Sequence, residues 1–129
     1  MNNFENNCIF GPGYEYSETI LLIIIQYIIK NPIYFLNGQD KNGKNIIQMT
    51  LEIIPKLLHV SKTSDDETKY LLLIKVLITI VETFYPSDSL NPYLPLIMNI
   101  TVNEIKSVEK ISFKCFLLQS VSIVFFYNF

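Results

Sequence analysis

No alanine, arginine or tryptophan occurs in this chain, and it has only one histidine, two cysteines and four glycines. Alanine codons and most arginine codons are GC-rich. Isoleucine, present twenty times, and asparagine, present twelve times, use AT-rich codons, as does lysine. The composition therefore reads as that of an AT-biased genome, in which isoleucine partly replaces alanine and valine. Half of the residues are hydrophobic, but that excess is weak evidence for a membrane when the code itself favours isoleucine.

The other scarcities exclude function classes. All ten basic residues are lysines, scattered along a chain of net charge −2. No lysine run or basic–aromatic interleaving marks a phosphate-binding surface, so nucleic acid is not an expected partner. Cys8 and Cys115 are far apart and form no CxxC, which argues against a disulfide framework or a zinc site and for reduced thiols in the cytosol or nucleus. His59 is the only histidine, and neither a nucleophile nor an orienting partner is indicated for it; a structural place at a helix C-terminus is the plain reading. Gly11-Pro12-Gly13 lacks the spacing of a phosphate loop. Asp65-Asp66-Glu67 could imitate a metal cluster, but a capping role accounts for it. The expectation is of no enzyme, no cofactor and no metal. Met1 to Asn7 is polar and acidic where a signal peptide would need a basic start.

Long hydrophobic runs are also missing. A membrane-spanning helix needs about 20 apolar residues. Thr19 to Ile29 is too short, and Lys75 breaks Leu71 to Val81. Cys115 to Phe129 is interrupted by Gln119, Ser120, Ser122 and Asn128. Buried helices explain these runs better than a small helical membrane protein, which stays as an alternative.

What is present is a helical pattern with caps and breakers. Residues 1–16 read as an irregular arm, and residues 17–129 as HEAT-like helical repeats. Ser17 is placed to cap a helix from about Glu18 to Lys30, which stops at Asn31-Pro32. That helix is apolar almost all round, so both of its sides should be covered. A connection over 33–43 comes next, with turns at Asn37-Gly38 and Asn42-Gly43. The apolar positions Ile46, Ile47, Leu51, Ile54, Leu57 and Leu58 predict a helix from about Asn45 to His59, kinked at Pro55. Ser61 to Asp66 reads as a polar turn. Ser64-x-x-Glu67 has the form of a capping box before a helix from about Asp65 to Phe84. Asn91 as cap and Pro92 at the first position predict a helix to about Glu104. Ser107 then caps a last helix, from about Val108 to Tyr127.

Ile53-Ile54-Pro55-Lys56-Leu57-Leu58 and Tyr93-Leu94-Pro95-Leu96-Ile97-Met98 place the two prolines about forty residues apart, a HEAT-type period. Each proline-bearing helix is followed by a polar turn and a longer apolar helix. The predicted fold is an all-α superhelix fragment of about five helices. The long helices carry narrow polar stripes: Gln26 and Lys30; Lys75, Thr79 and Glu82; Gln119 and Ser122. In a solenoid these would line a concave protein-binding face; the plain alternative is a solvated edge of packed helices. The last helix has no following unit, so Val124, Phe125 and Phe126 should be exposed and promote self-association.

From Asp65 onward the sequence resembles the importin-β superfamily of nuclear transport receptors, in particular the branch containing importins seven and eight. The resemblance lies in Thr68-Lys69-Tyr70-Leu71-Leu72-Leu73-Ile74-Lys75-Val76-Leu77-Ile78, in Asn91-Pro92-Tyr93-Leu94-Pro95-Leu96-Ile97, and in Cys115-Phe116-Leu117-Leu118-Gln119-Ser120-Val121 with Phe126-Tyr127-Asn128. It covers about half the chain clearly and residues 17–60 loosely. It implies a role in protein import through the nuclear pore, with cargo or pore proteins as partners and a place in cytoplasm and nucleus. The chain departs from the family in lacking the Ran-binding N-terminal repeats and any long acidic loop, so Ran would be a partner only of a full-length receptor. The resemblance implies a fragment or truncated copy. A generic helical-repeat scaffold without a transport role is the alternative.

Overall fold

A computed structural model describes residues 18–84, 87–111, 114–115, 117–118 and 122. The described chain is all-α. Its elements are α1 (Glu18–Lys30), α2 (Pro32–Asn37), α3 (Ile46–Thr63), α4 (Glu67–Phe84), a 3-10 helix (Asp88–Tyr93) and α5 (Leu94–Ser107). Further helical residues begin at Ile111. The arm, the Ser17 cap, Gln119 and the aromatic end of the last predicted helix lie outside the described residues.

The bounds of α1 match the sequence reading, but the connection after it does not stay irregular. Pro32 occupies the first turn of the short α2, where its missing N–H costs nothing. Phe35 of α2 is fully buried and stacks on Phe84 of α4, with ring centroids 6.4 Å apart and planes 14° from parallel. Gly38 then carries the chain back towards α3. A Cβ there would fall 2.4 Å from the Tyr34 carbonyl oxygen and 2.6 Å from Ile46 Cδ1, so only glycine fits this close approach. The Asp40 carboxylate accepts hydrogen bonds from the Asn42 and Lys44 amides and closes the loop, with Gly43 at a φ of 82°.

α3 is longer than its sequence pattern predicts. It runs on through Pro55, whose ring is on the exposed side, and continues past His59 to Thr63. Ser61 is therefore inside the helix and buried, not in a turn, and its hydroxyl is satisfied by the Leu58 carbonyl. The helix ends in a Schellman motif. The Asp66 amide donates to the Ser61 carbonyl (2.8 Å) and the Asp65 amide to the Lys62 carbonyl (3.2 Å), with Asp65 at a φ of 58°. Aspartate is among the few non-glycine residues that tolerate this left-handed conformation.

The register of that turn overturns the capping box. α4 starts at Glu67, and its cap is Asp66, whose carboxylate accepts from the Lys69 amide at 3.1 Å. The Ser64 hydroxyl points backwards and donates to the Val60 carbonyl at 2.8 Å. Two later caps shift as well. Ser87, not Asn91, caps the 3-10 helix by accepting from the Ser89 amide, and Asn91 and Pro92 sit inside it. Ser107 is the last residue of α5 rather than the cap of a later helix.

Packing centres on α4. It contacts both α1 and α3, and α3 also contacts α5. Leu21, Ile24, Ile25 and Ile28 of α1 are buried, as are Tyr70, Leu73, Ile74, Val76, Leu77, Ile80, Val81 and Phe84 of α4. With Ile46, Ile47, Leu51, Ile54, Leu57 and Leu58 of α3, and Ile97 and Ile100 of α5, they form one continuous core. Each fully buried Leu or Ile contributes roughly 1.5–3 kcal/mol. Among the described residues no buried side-chain nitrogen or oxygen lacks a hydrogen-bond partner.

Candidate interaction surface

The polar residues singled out from sequence divide between solvent and core. Gln26 and Lys30 of α1, Lys75 and Glu82 of α4, and Ser122 are exposed. Thr79 is buried, and its hydroxyl donates to the Lys75 carbonyl at 2.7 Å. It serves the helix rather than a surface. The exposed stripe on α4 instead passes through Thr68, Leu71, Lys75 and Glu82, positions three, four and seven residues apart.

Among the described residues, α1 is not covered on all sides. Leu22, Ile23 and Ile29 are about half exposed and share an arc of the helix with Gln26 and Lys30. Ile33 and Tyr34 of α2 are 71% and 69% exposed. The expected burial of both sides of α1 therefore fails. The result is a face where large apolar side chains alternate with an amide and an ammonium group.

A second feature was invisible in the sequence. Tyr70 of α4 is fully buried and donates a 2.9 Å hydrogen bond to the Glu104 carboxylate of α5. Lys62 Nζ, from the last turn of α3, lies 3.0 Å from the same carboxylate and 3.2 Å from the Ser107 hydroxyl. Three helices thus meet at one buried carboxylate. Burial first, then the charge and hydrogen bond of Glu104, push the Tyr70 hydroxyl far above the usual phenol range.

Lys110 makes the reciprocal reach. It pairs with Asp65 in the α3–α4 turn and with Glu67 at 3.0 Å. Hydrogen bonding to Asp65, then to Glu67, raises its ammonium above the ordinary lysine value. Lys62 reaches from the last turn of α3 to α5, and Lys110, just beyond α5, reaches back to the α3–α4 turn. The end of α3 and the end of α5 are therefore tied side by side, through partners 42 to 45 residues apart in sequence.

Between these ends lies an open cavity of about 370 Å³, walled in part by His59, Lys62, Thr63, Asp65, Ser107 and Lys110. His59 stands one turn before the end of α3, so the basic residue in the last turn is Lys62. The cavity wall mixes both signs of charge. Among the described residues no group of three or more His, Cys, Asp or Glu could hold a metal ion. Among the same residues no helix is long and apolar enough to cross a membrane.

Comparison with known proteins adds no relative: no family model, curated protein or solved structure matches the chain.

Proposed function

We propose that this chain is a protein-interaction scaffold of stacked helical pairs, of HEAT type, belonging to a nuclear transport receptor of the importin-β kind. The observation that carries the scaffold reading is the double tie between the end of α3 and the end of α5. Helical repeats stack so that equivalent turns lie beside one another and each unit contacts its neighbours. Lys62 reaching Glu104 and Ser107, and Lys110 reaching Asp65 and Glu67, are contacts of that kind. The pairings of α1 with α4 and of α3 with α5 also suit two layers, the second carrying Pro55 and Pro95, although α3 is as long as α4, at 18 residues each.

The transport reading rests on the sequence resemblance from Asp65 onward. Its partners are proteins: cargo or pore proteins for this segment, and Ran for a full-length receptor only. The compartments are cytoplasm and nucleus. The exposed apolar and amide groups of α1, with the Lys75 and Glu82 stripe of α4, are the surface offered to such partners. Pore proteins rich in phenylalanine–glycine repeats provide the test. The folded chain should bind an immobilised repeat segment and lose that binding when its phenylalanines are replaced by serine. A chain with a helical circular dichroism spectrum that does not bind would remove the transport role and leave the generic scaffold.

A further inference from the structure

The motif Ser64-Asp65-Asp66-Glu67 is not a capping box, and this leaves its serine without the role that its pattern suggests. Ser64 is exposed at the end of α3, and its hydroxyl makes one short bond, to the Val60 carbonyl. Acidic side chains follow it at the first, second and third positions. Kinases choose substrates largely by such charge patterns, through basic residues that receive the acids flanking the hydroxyl. The acids here are surface groups. Asp65 is exposed, and Asp66 and Glu67 are partly exposed. Their pairs with Lys110 and Lys69 are surface ion pairs, cheap to open. The turn can therefore present the hydroxyl and its acids together by a local opening, without disturbing the core.

We propose that Ser64 is a phosphorylation site for an acid-directed serine/threonine kinase. In the reaction, Ser64 Oγ forms a bond to the γ-phosphorus of ATP and the bond from that phosphorus to the bridging oxygen breaks. The hydroxyl proton passes to the kinase base, and ADP leaves. The product carries about 1.5 to 2 added negative charges beside Asp65. Asp65 is the acid that holds Lys110, so the modification falls on the joint between the ends of α3 and α5. The proposal does not depend on the transport reading.

The full chain, incubated with ATP and an acid-directed kinase, should gain one phosphate, mapped by fragment mass spectrometry to Ser64. Ser64→Ala should not gain it. Combined Asp66→Asn and Glu67→Gln should lower the rate by about tenfold. Asparagine still caps α4, so the fold is kept and circular dichroism should be unchanged. Failure to modify Ser64 under conditions that modify an acidic control peptide would overturn the assignment. So would phosphate on Thr63 alone, or an unchanged rate in the neutralised variant.

Discussion

Glu104 is the residue on which three helices depend. It is 6% exposed and holds Tyr70 and Lys62 together. Removing its carboxylate takes the charged acceptor away from the buried Tyr70 hydroxyl and the counter-charge away from Lys62. Glu104→Ala should lower unfolding stability by about 3 kcal/mol in urea titrations. Lys44→Ala removes the exposed pair with Glu52 and should change it by no more than about 0.5 kcal/mol. Equal effects would show that the carboxylate is not the centre of the joint.

Tyr70 gives the same site a pH signature. Its hydroxyl ionises well above the value of about 10 that it has in an unfolded chain. A group whose folded value is raised contributes stability that is fully present below the unfolded value and is lost as pH rises through the folded one. Wild-type stability should therefore fall as pH climbs past about 10. Tyr70→Phe lacks the hydrogen bond to a charged group and should start about 1.5–3 kcal/mol lower. It should then lose less over the same alkaline range. Denaturant midpoints measured from neutral pH upwards would show the two curves converging.

At the scale of elements, the α3–α4 turn shows how a local signal can mislead. Ser64-x-x-Glu67 satisfies the capping-box pattern, yet Asp65 takes a positive φ and shifts the start of α4 so that Asp66 is the cap. No glycine marks that left-handed position, so the sequence offered no sign of the Schellman turn. Asp66→Ala should cost about 1 kcal/mol, whereas Ser64→Ala should stay within about 0.5 kcal/mol. The reverse ranking in thermal or urea unfolding would restore the capping box. Two other features were legible, whereas α2 lay in a stretch that read as a connection and the Asn91 and Ser107 caps did not hold. The apolar run and its proline stop set α1 at Glu18–Lys30, and the 3.6-residue period marked the buried face of α3. The length of α3 was not legible, because polar Ser61 and Lys62 resemble a turn, whereas Ser61 bonds back to Leu58 within the helix and Lys62 reaches the distant Glu104. Nor was the joint. Tyr70, Lys62 and Glu104 are separated by up to 42 residues, and they converge only once α3, α4 and α5 are packed. Among the polar stripe residues, Gln26, Lys30, Lys75 and Glu82 are exposed. Thr79 falls inside because a threonine can satisfy its hydroxyl on its own helix.

Over the whole molecule, the described core is continuous from α1 through α4 and α3 to α5, and the polar joint links α3, α4 and α5. Under the scaffold reading, neighbouring units stabilise one another and lose cooperativity when the interface between them is weakened. The exposed Leu22, Ile23, Ile29, Ile33 and Tyr34 form the largest apolar departure from that closed arrangement among the described residues. That face is where the scaffold reading places a protein partner.

Whether α3, α4 and α5 are joined through the Glu104 carboxylate is tested by a thermal melt under far-UV circular dichroism, on the wild-type chain and on Glu104→Ala. The wild type should give a strongly helical spectrum and a single cooperative transition. The variant should melt at a lower temperature or in two resolved steps, as these helices separate. A weakly helical wild type, or a variant whose melt is unchanged, would contradict a joint of that kind.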